Sequence, residues 1–239
     1  MASIDPDLLL RAYSIGVFPM SDSRDAEDVF WVEPRRRAII PLDGFRLSRS
    51  LGKTLRSGRF EISCDRAFPQ VIRACAHRGE TWINAQIEEG FVALHRMGAA
   101  HSIEAWREGE LVGGLYGVRM GAAFFGESMF SRQTDASKVA LAWLVARLRV
   151  GRFSLLDCQF MTDHLRSLGA IEISQKDYLA LLASALAGEE AAGAAALARG
   201  EAAAEFGALD RLLAGTAPFS GASSAAPGCV IAQLLGQTS

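Results

Sequence analysis

The chain has 239 residues, 50% of them hydrophobic and 22% charged, with a formal net charge of −2. That is enough chain to bury a substantial core, and the balance argues against a disordered or membrane-embedded protein. The most hydrophobic helical stretch, Val139–Val150, is interrupted by Arg147 and Arg149 and is too short to cross a bilayer.

The first residues lack the basic start and apolar centre of a secretory signal. Cys64, Cys75, Cys158 and Cys229 form no Cys-x-x-Cys pair and no zinc-ligand spacing. These features together predict a cytoplasmic protein with reduced thiols, no metal site and no membrane partner. The near-neutral charge hides an asymmetry. Between Trp31 and Arg78, eleven bases stand against four acids, a surplus that can attract a polyanion.

Taken in order, Asp5-Pro6 predicts a capped helix whose apolar face is Leu8, Leu9, Ala12 and Ile15, closed by Gly16. A polar loop, Ser21–Asp28, precedes two short strands, Phe30-Trp31 and Ala38–Ile40. Ser48 can cap a helix running to Gly58. On it Arg49, Lys53 and Arg56 share one face, and Leu51 and Leu55 take the other. Phe60–Cys64 reads as a strand, Asp65 as the cap of a helix through Ala76, and Asn84 as the cap of a helix over Ala85–Met97. His101–Trp106 alternates like a strand.

Leu111–Arg132 is the most informative stretch. Two apolar, β-prone runs, Leu111–Val118 and Ala122–Phe130, are joined by Arg119-Met120-Gly121, which suits a hairpin. Gly113 and Gly114 suggest a bulge or a close approach of backbone to ligand. Glu127 sits between Phe124-Phe125 and Met129-Phe130. A carboxylate in such company is either an exposed edge residue or part of a site, because a bare buried charge is costly.

Asp135 is placed to cap a helix over Ala136–Val150, and Ser154–Cys158 reads as a buried strand ending in Asp157-Cys158-Gln159. A helix (Asp163–Leu168), a strand (Ala170–Ser174) and a helix (Lys176–Leu186) follow. From Ala187 the composition turns to Ala, Gly and Ser. That tail predicts at most a loose helix over Ala194–Leu213 and a mobile end beyond Gly215. The order of elements predicts an α/β (α+β) fold with a mixed sheet.

Asp157 and Gln159, two apart at a strand end, can point to one face, where open α/β sheets place ligands. Such a pair can orient and deprotonate an amine, or Asp157 can merely cap the next turn. His77, His95, His101 and His164 show no metal-ligand spacing, and there is no Gly-x-Ser-x-Gly elbow or Walker lysine loop.

Several long segments carry a resemblance. They are LLLRAYSIGVFPM at Leu8–Met20, SRSLGKTLRSGRFEI at Ser48–Ile62, TWI at Thr81–Ile83, and AHSIEAWREGELVGGLYGV at Ala100–Val118. FFGESMFSR at Phe124–Arg132, Ala136-Ser137-Lys138, LLDCQ at Leu155–Gln159 and HLRSLGA at His164–Ala170 complete the set. In this order they resemble the leucyl/phenylalanyl-tRNA–protein transferases.

The resemblance implies a small N-terminal domain (residues 1–62) and a GNAT-like transfer domain (63–186); composition adds a partly disordered Ala/Gly/Ser-rich tail (187–239). It implies transfer of Leu, Phe or, less readily, Met from aminoacyl-tRNA to the N-terminal Arg or Lys of a protein, making a degradation signal. No cofactor is implied, and a monomer is expected. Asp157, Gln159 and Glu127 fall on the family's catalytic and site positions. Trp82, Phe91, Phe124, Met129 and Leu156 fall on the donor side-chain pocket, and Arg46, Arg49, Lys53, Arg56 and Arg59 on the tRNA surface. The chain departs from the family at Val32, where many members carry a second Trp that would narrow the pocket, and in its long tail. Two rival readings are a GNAT-type acyl-CoA transferase and a non-catalytic tRNA-binding module. The turn Ser131–Ser137 has no glycine and carries Asp135, a poor cradle for the CoA pyrophosphate.

Overall fold

The computed structural model describes residues 3–191, 204–215 and 226–236. Its centre is a seven-stranded mixed sheet covered by helices on both faces, the α/β class expected from the element order.

Helix α1 (Pro6–Ser14) begins where the Asp5 carboxylate accepts the Asp7 N–H, with Pro6 in its first turn, and it buries Leu9, Ala12 and Tyr13. A two-stranded ribbon of β1 (Phe18–Met20) and β2 (Phe30–Val32) follows. The next strand, β3 (Arg36–Ile39), belongs to the large sheet, although the expected domain limit falls later, at residue 62. After α2 (Arg49–Arg56), capped by Ser48, come β4 (Glu61–Cys64), α3 (Phe68–Ala76) and α4 (Ala85–Arg96), the last capped by Asn84. Three long strands then run β5 (Ala100–Arg107), β6 (Glu110–Met120) and β7 (Ala123–Ser131). Helix α5 (Ala136–Val150), β8 (Leu155–Gln159), α6 (Asp163–Ser167), β9 (Ile171–Ser174) and α7 (Gln175–Ala191) complete this part.

The strand order is β4-β5-β6-β7-β8-β3-β9, antiparallel except for the β7–β8 pair. One apolar layer, around α5, holds Leu115, Phe124, Leu141, Leu144 and Leu156. The opposite layer joins α1, α3, α4 and α7 through Tyr13, Phe68, Phe91, Phe125 and Tyr178.

Two expected caps differ. Asp65 does not start α3, whose N-cap is Ala67; its carboxylate instead accepts the Ser102 N–H at 2.8 Å and meets His101 Nδ1 at 2.7 Å. Asp135 does stand before α5, but in the left-handed region (φ +71°), and its side chain reaches Lys138 rather than a helix N–H. Gly113 does adjoin a bulge, at Val112. What comes close there is α5, not a ligand: a Cβ on Gly113 would lie 2.5 Å from that of Ala136.

The tail also departs from expectation. Residues 194–203, in the predicted loose helix, lie outside the described residues. Helix α8 (Ala208–Gly215) packs on α5, and the Arg147 guanidinium grips both Asp210 oxygens at 2.6 Å and the Phe206 carbonyl at 2.8 Å. Phe206 stacks on Phe124 and His101. Of the end expected to be mobile beyond Gly215, residues 216–225 and 237–239 lie outside the described residues, while α9 (Pro227–Gly236) buries Ile231 and Leu235 against α2 and α5 and is part of the core. A few large apolar residues among many alanines suffice, because the body offers an apolar face that they cover. Phe206→Ala should therefore cost about 3–5 kcal/mol in urea unfolding, as a cavity in a packed core does. A change below about 0.5 kcal/mol would mean that the tail is not docked.

Candidate active site

β7 and β8 pair in parallel only from Ala123↔Leu155 to Phe125↔Asp157, and then part. At that point the pairing of β7 with β6 is irregular. Tyr116 pairs with Ser128 and Gly117 with Gly126, which leaves Glu127 as the extra, bulged residue. Bulges bend a strand and re-aim a side chain, and they recur beside active sites. Here the bulge turns Glu127 toward the gap opened between the two strands.

Across the gap stands Gln159, at the end of β8. Its Nε2 donates to Glu127 Oε1 at 3.0 Å. Gln159 is held in the left-handed region (φ +57°), an uncommon state for a side chain of this size, and its N–H donates to Asp157 Oδ1 at 2.9 Å. Asp157 is completely buried. Arg37 clamps it with two bonds, Nε to Oδ1 at 2.9 Å and Nη2 to Oδ2 at 2.6 Å, and Tyr178 donates to Oδ2 at 3.1 Å. The guanidinium itself lies between the Phe18 and Tyr178 rings and donates to the Gly16 carbonyl.

Glu127 is buried too, and its neighbours do not supply enough polarity to keep it charged. Burial pushes its carboxyl up to about 8, the nearby Asp157 adds to the shift, and Tyr13 and Arg37 only partly oppose it. The Tyr13 hydroxyl lies beside Glu127 without a hydrogen bond of ordinary geometry.

Glu127 and Gln159 line a cavity of about 410 Å³, a size usual for small-ligand sites. Its wall is apolar: Leu115, Met129, Leu141, Leu144, Leu156 and Leu165. Phe18, Met20, Trp82, Arg78, Phe160 and His164 also line it. Trp82 is anchored by its carbonyl, which accepts the Ser21 N–H at 3.1 Å and Oγ at 3.0 Å.

Of the residues expected here, Trp82, Met129, Leu156, Glu127 and Gln159 come together around the cavity. Phe91 and Phe124 do not. Phe91 is buried between Tyr13 and Tyr116, and Phe124 is buried against Phe206, so both are core. Asp157 does not reach the cavity wall either, since Arg37, Tyr178 and the Gln159 N–H occupy its oxygens. Val32 pairs with Phe18 behind the wall rather than lining it. Arg46, Arg49, Lys53, Arg56 and Arg59 lie along α2 and its flanks, and Arg49, Lys53 and Arg56 are exposed.

The family model for leucyl/phenylalanyl-tRNA protein transferase matches residues 39–183, and the model of that family's N-terminal domain matches residues 2–35. The chain belongs to the leucyl/phenylalanyl-tRNA–protein transferase family. The family's enzyme from Rhizorhabdus wittichii is 64% identical over 251 aligned positions that cover all of both chains. The one from Paramagnetospirillum magneticum is 60% identical over 191, which cover 78% of this chain and 91% of that one. Among solved structures, L-PGS from Bacillus licheniformis aligns at 14% identity and a TM-score of 0.39, over 67% of this chain and 55% of that one. As a leucyl/phenylalanyl-tRNA–protein transferase, the chain is an aminoacyltransferase whose substrates are aminoacyl-tRNA and proteins. The two family models meet between residues 35 and 39, and Arg37 lies in that join.

Proposed function

We propose that the cavity takes the side chain of Leu, Phe or, less readily, Met from its tRNA ester and passes the residue to the N-terminal Arg or Lys of an acceptor protein. The extended protein carries a degradation signal, and the reaction belongs to the cytoplasm. The observation that supports this reading best is the pairing of an apolar-walled cavity with the Glu127–Gln159 bond on its lining. An apolar side chain fits the first, and the reacting ester and amine meet the second.

The donor ester is already activated. The acceptor amine's lone pair attacks the ester carbonyl carbon, the new C–N bond forms, and the C–O bond to the tRNA ribose breaks. One amine proton must leave, and the ribose oxygen must gain one. A free α-amine has a pKa of about 7.7–8.0, close to that of Glu127, so a proton can pass from nitrogen to carboxylate and on to the leaving oxygen with little uphill cost. Gln159 fixes the Glu127 carboxyl group, and Asp157 acts from behind as a positioning residue for Gln159. A β-branched donor such as Val or Ile brings an extra methyl near the reacting carbon, where a misfit of that size is worth about 1–3 kcal/mol.

The direct test mixes the full chain, labelled Leu-tRNA and a peptide that starts with Arg, and looks for a peptide one residue longer. Label that stays on the tRNA would refute the reading. The basic face of α2 is assigned to the tRNA backbone. Changing Arg49, Lys53 and Arg56 together to Ala should leave folding unchanged, since all three are exposed. It should weaken tRNA binding and flatten its salt dependence by about 0.7–0.9 for each phosphate no longer neutralised. An unaltered salt slope would remove α2 from the RNA interface.

A further inference from the structure

The transfer chemistry leaves several polar groups on the cavity wall unused, among them Arg78, Ser128 and Thr162 and two with a buried unpartnered atom, Tyr116 and His164. His164, in the first turn of α6 next to Leu165, lines the same cavity as Glu127 and Gln159. Its Nε2 is buried and meets no hydrogen-bond partner among the described residues. An unmade bond of this kind costs about 1–3 kcal/mol, a poor arrangement unless an arriving group completes it. Burial, helped by the Lys138 charge, holds the ring's pKa below the ordinary histidine value, which favours the neutral imidazole. Lys138 stands one turn before Leu141 on α5, and its ammonium is shared with Asp135 at 3.4 Å.

The donor's shape says what arrives. With the side chain in the apolar wall and the ester carbonyl at Glu127 and Gln159, the ribose that carries the ester must lie at the cavity edge. One of its two vicinal hydroxyls bears the amino acid, and the other is free. A hydroxyl can give or take a hydrogen bond, which suits a neutral imidazole of either tautomer. Resting on the transfer reading above, we propose that His164 Nε2 binds the free ribose hydroxyl of the donor tRNA's terminal nucleotide and so sets the ester's angle to the acceptor amine. No proton is moved by this contact.

The test compares two donors on the full chain: Leu-tRNA with an ordinary terminal adenosine, and Leu-tRNA whose terminal adenosine lacks the 2′-hydroxyl and is charged on the 3′-oxygen. The unaltered enzyme should favour the first by about tenfold in kcat/KM, the worth of one hydrogen bond. His164→Ala should lose about tenfold with the ordinary donor and nothing further with the deoxy donor, the signature of a direct pair. His164→Gln should recover part of the preference, and it carries the comparison if the alanine variant does not fold. A preference that survives in both variants, or an equal loss on both donors, would overturn the assignment. Failure of the transfer reading would look different: the unaltered chain would use neither donor.

Discussion

Replacing Glu127 by Gln should lower peptide transfer by about a hundredfold or more, the usual contribution of a positioned proton acceptor, and should remove one limb of the pH profile. The substitution keeps the shape and an oxygen that can accept from Gln159 Nε2, so packing is preserved and the titrating group is lost. For the unaltered enzyme, kcat/KM should rise with pH through two groups near 8, the amine and Glu127, and then level off. The variant should keep only the amine's limb. Stability gives an independent reading. The Glu127 carboxyl is raised from 4.5 to about 8 in the folded state, so its favourable contribution is complete below about 4.5 and is lost as pH rises through about 8. Urea midpoints of the unaltered chain should accordingly fall between pH 5 and 8, and those of Glu127→Gln should fall less. Equal slopes in both chains would mean that the carboxyl is solvated after all.

Removing Arg37 should cost the fold more than any change at the cavity. Its guanidinium is 1% exposed, Asp157 is 0% exposed, and the two share a bidentate bond. Breaking such a pair from one side leaves the other charge buried and alone, typically at about 3–5 kcal/mol. Arg37→Ala should show that loss in urea unfolding. Arg37→Lys should recover little of it, because a single ammonium cannot serve two carboxylate oxygens and the Gly16 carbonyl together. Tyr178→Phe, which removes only one hydroxyl bond to Asp157, should cost about 1 kcal/mol. If Arg37→Ala unfolds no earlier than Tyr178→Phe, Asp157 is not held as described.

How much of this was legible follows from how far apart in sequence the causes lie. The caps Asp5, Ser48 and Asn84, the hairpin of β6 and β7, and the basic face of α2 rest on neighbours within a few residues, which periodicity and capping chemistry reveal. The Asp157–Arg37 pair spans 120 positions, and Arg37 stands in a run of three arginines where nothing local marks the buried one. Phe91 and Phe124 are apolar in the same way as Leu141 and Leu144. Only the packing decides that the first two fill the core while the last two line the cavity. Glu127 stood out as a carboxylate in apolar surroundings, but the bulge that aims it is a mismatch between two strands and belongs to neither alone. The docked tail escaped because its few anchors, Phe206, Ile231 and Leu235, are diluted by small residues.

The extra residue at Glu127 also changes the phase of everything that follows it. Side chains on an unbroken strand alternate, so Phe124 and Met129, five apart, would point to opposite layers. They instead pack in the same layer, and Phe130 joins the other. The same residues paired without the bulge would turn Met129 away from the cavity and Phe130 toward it, and Glu127 would have no gap to face. The aim of the acid and the place of Met129 in the wall thus rest on one irregularity.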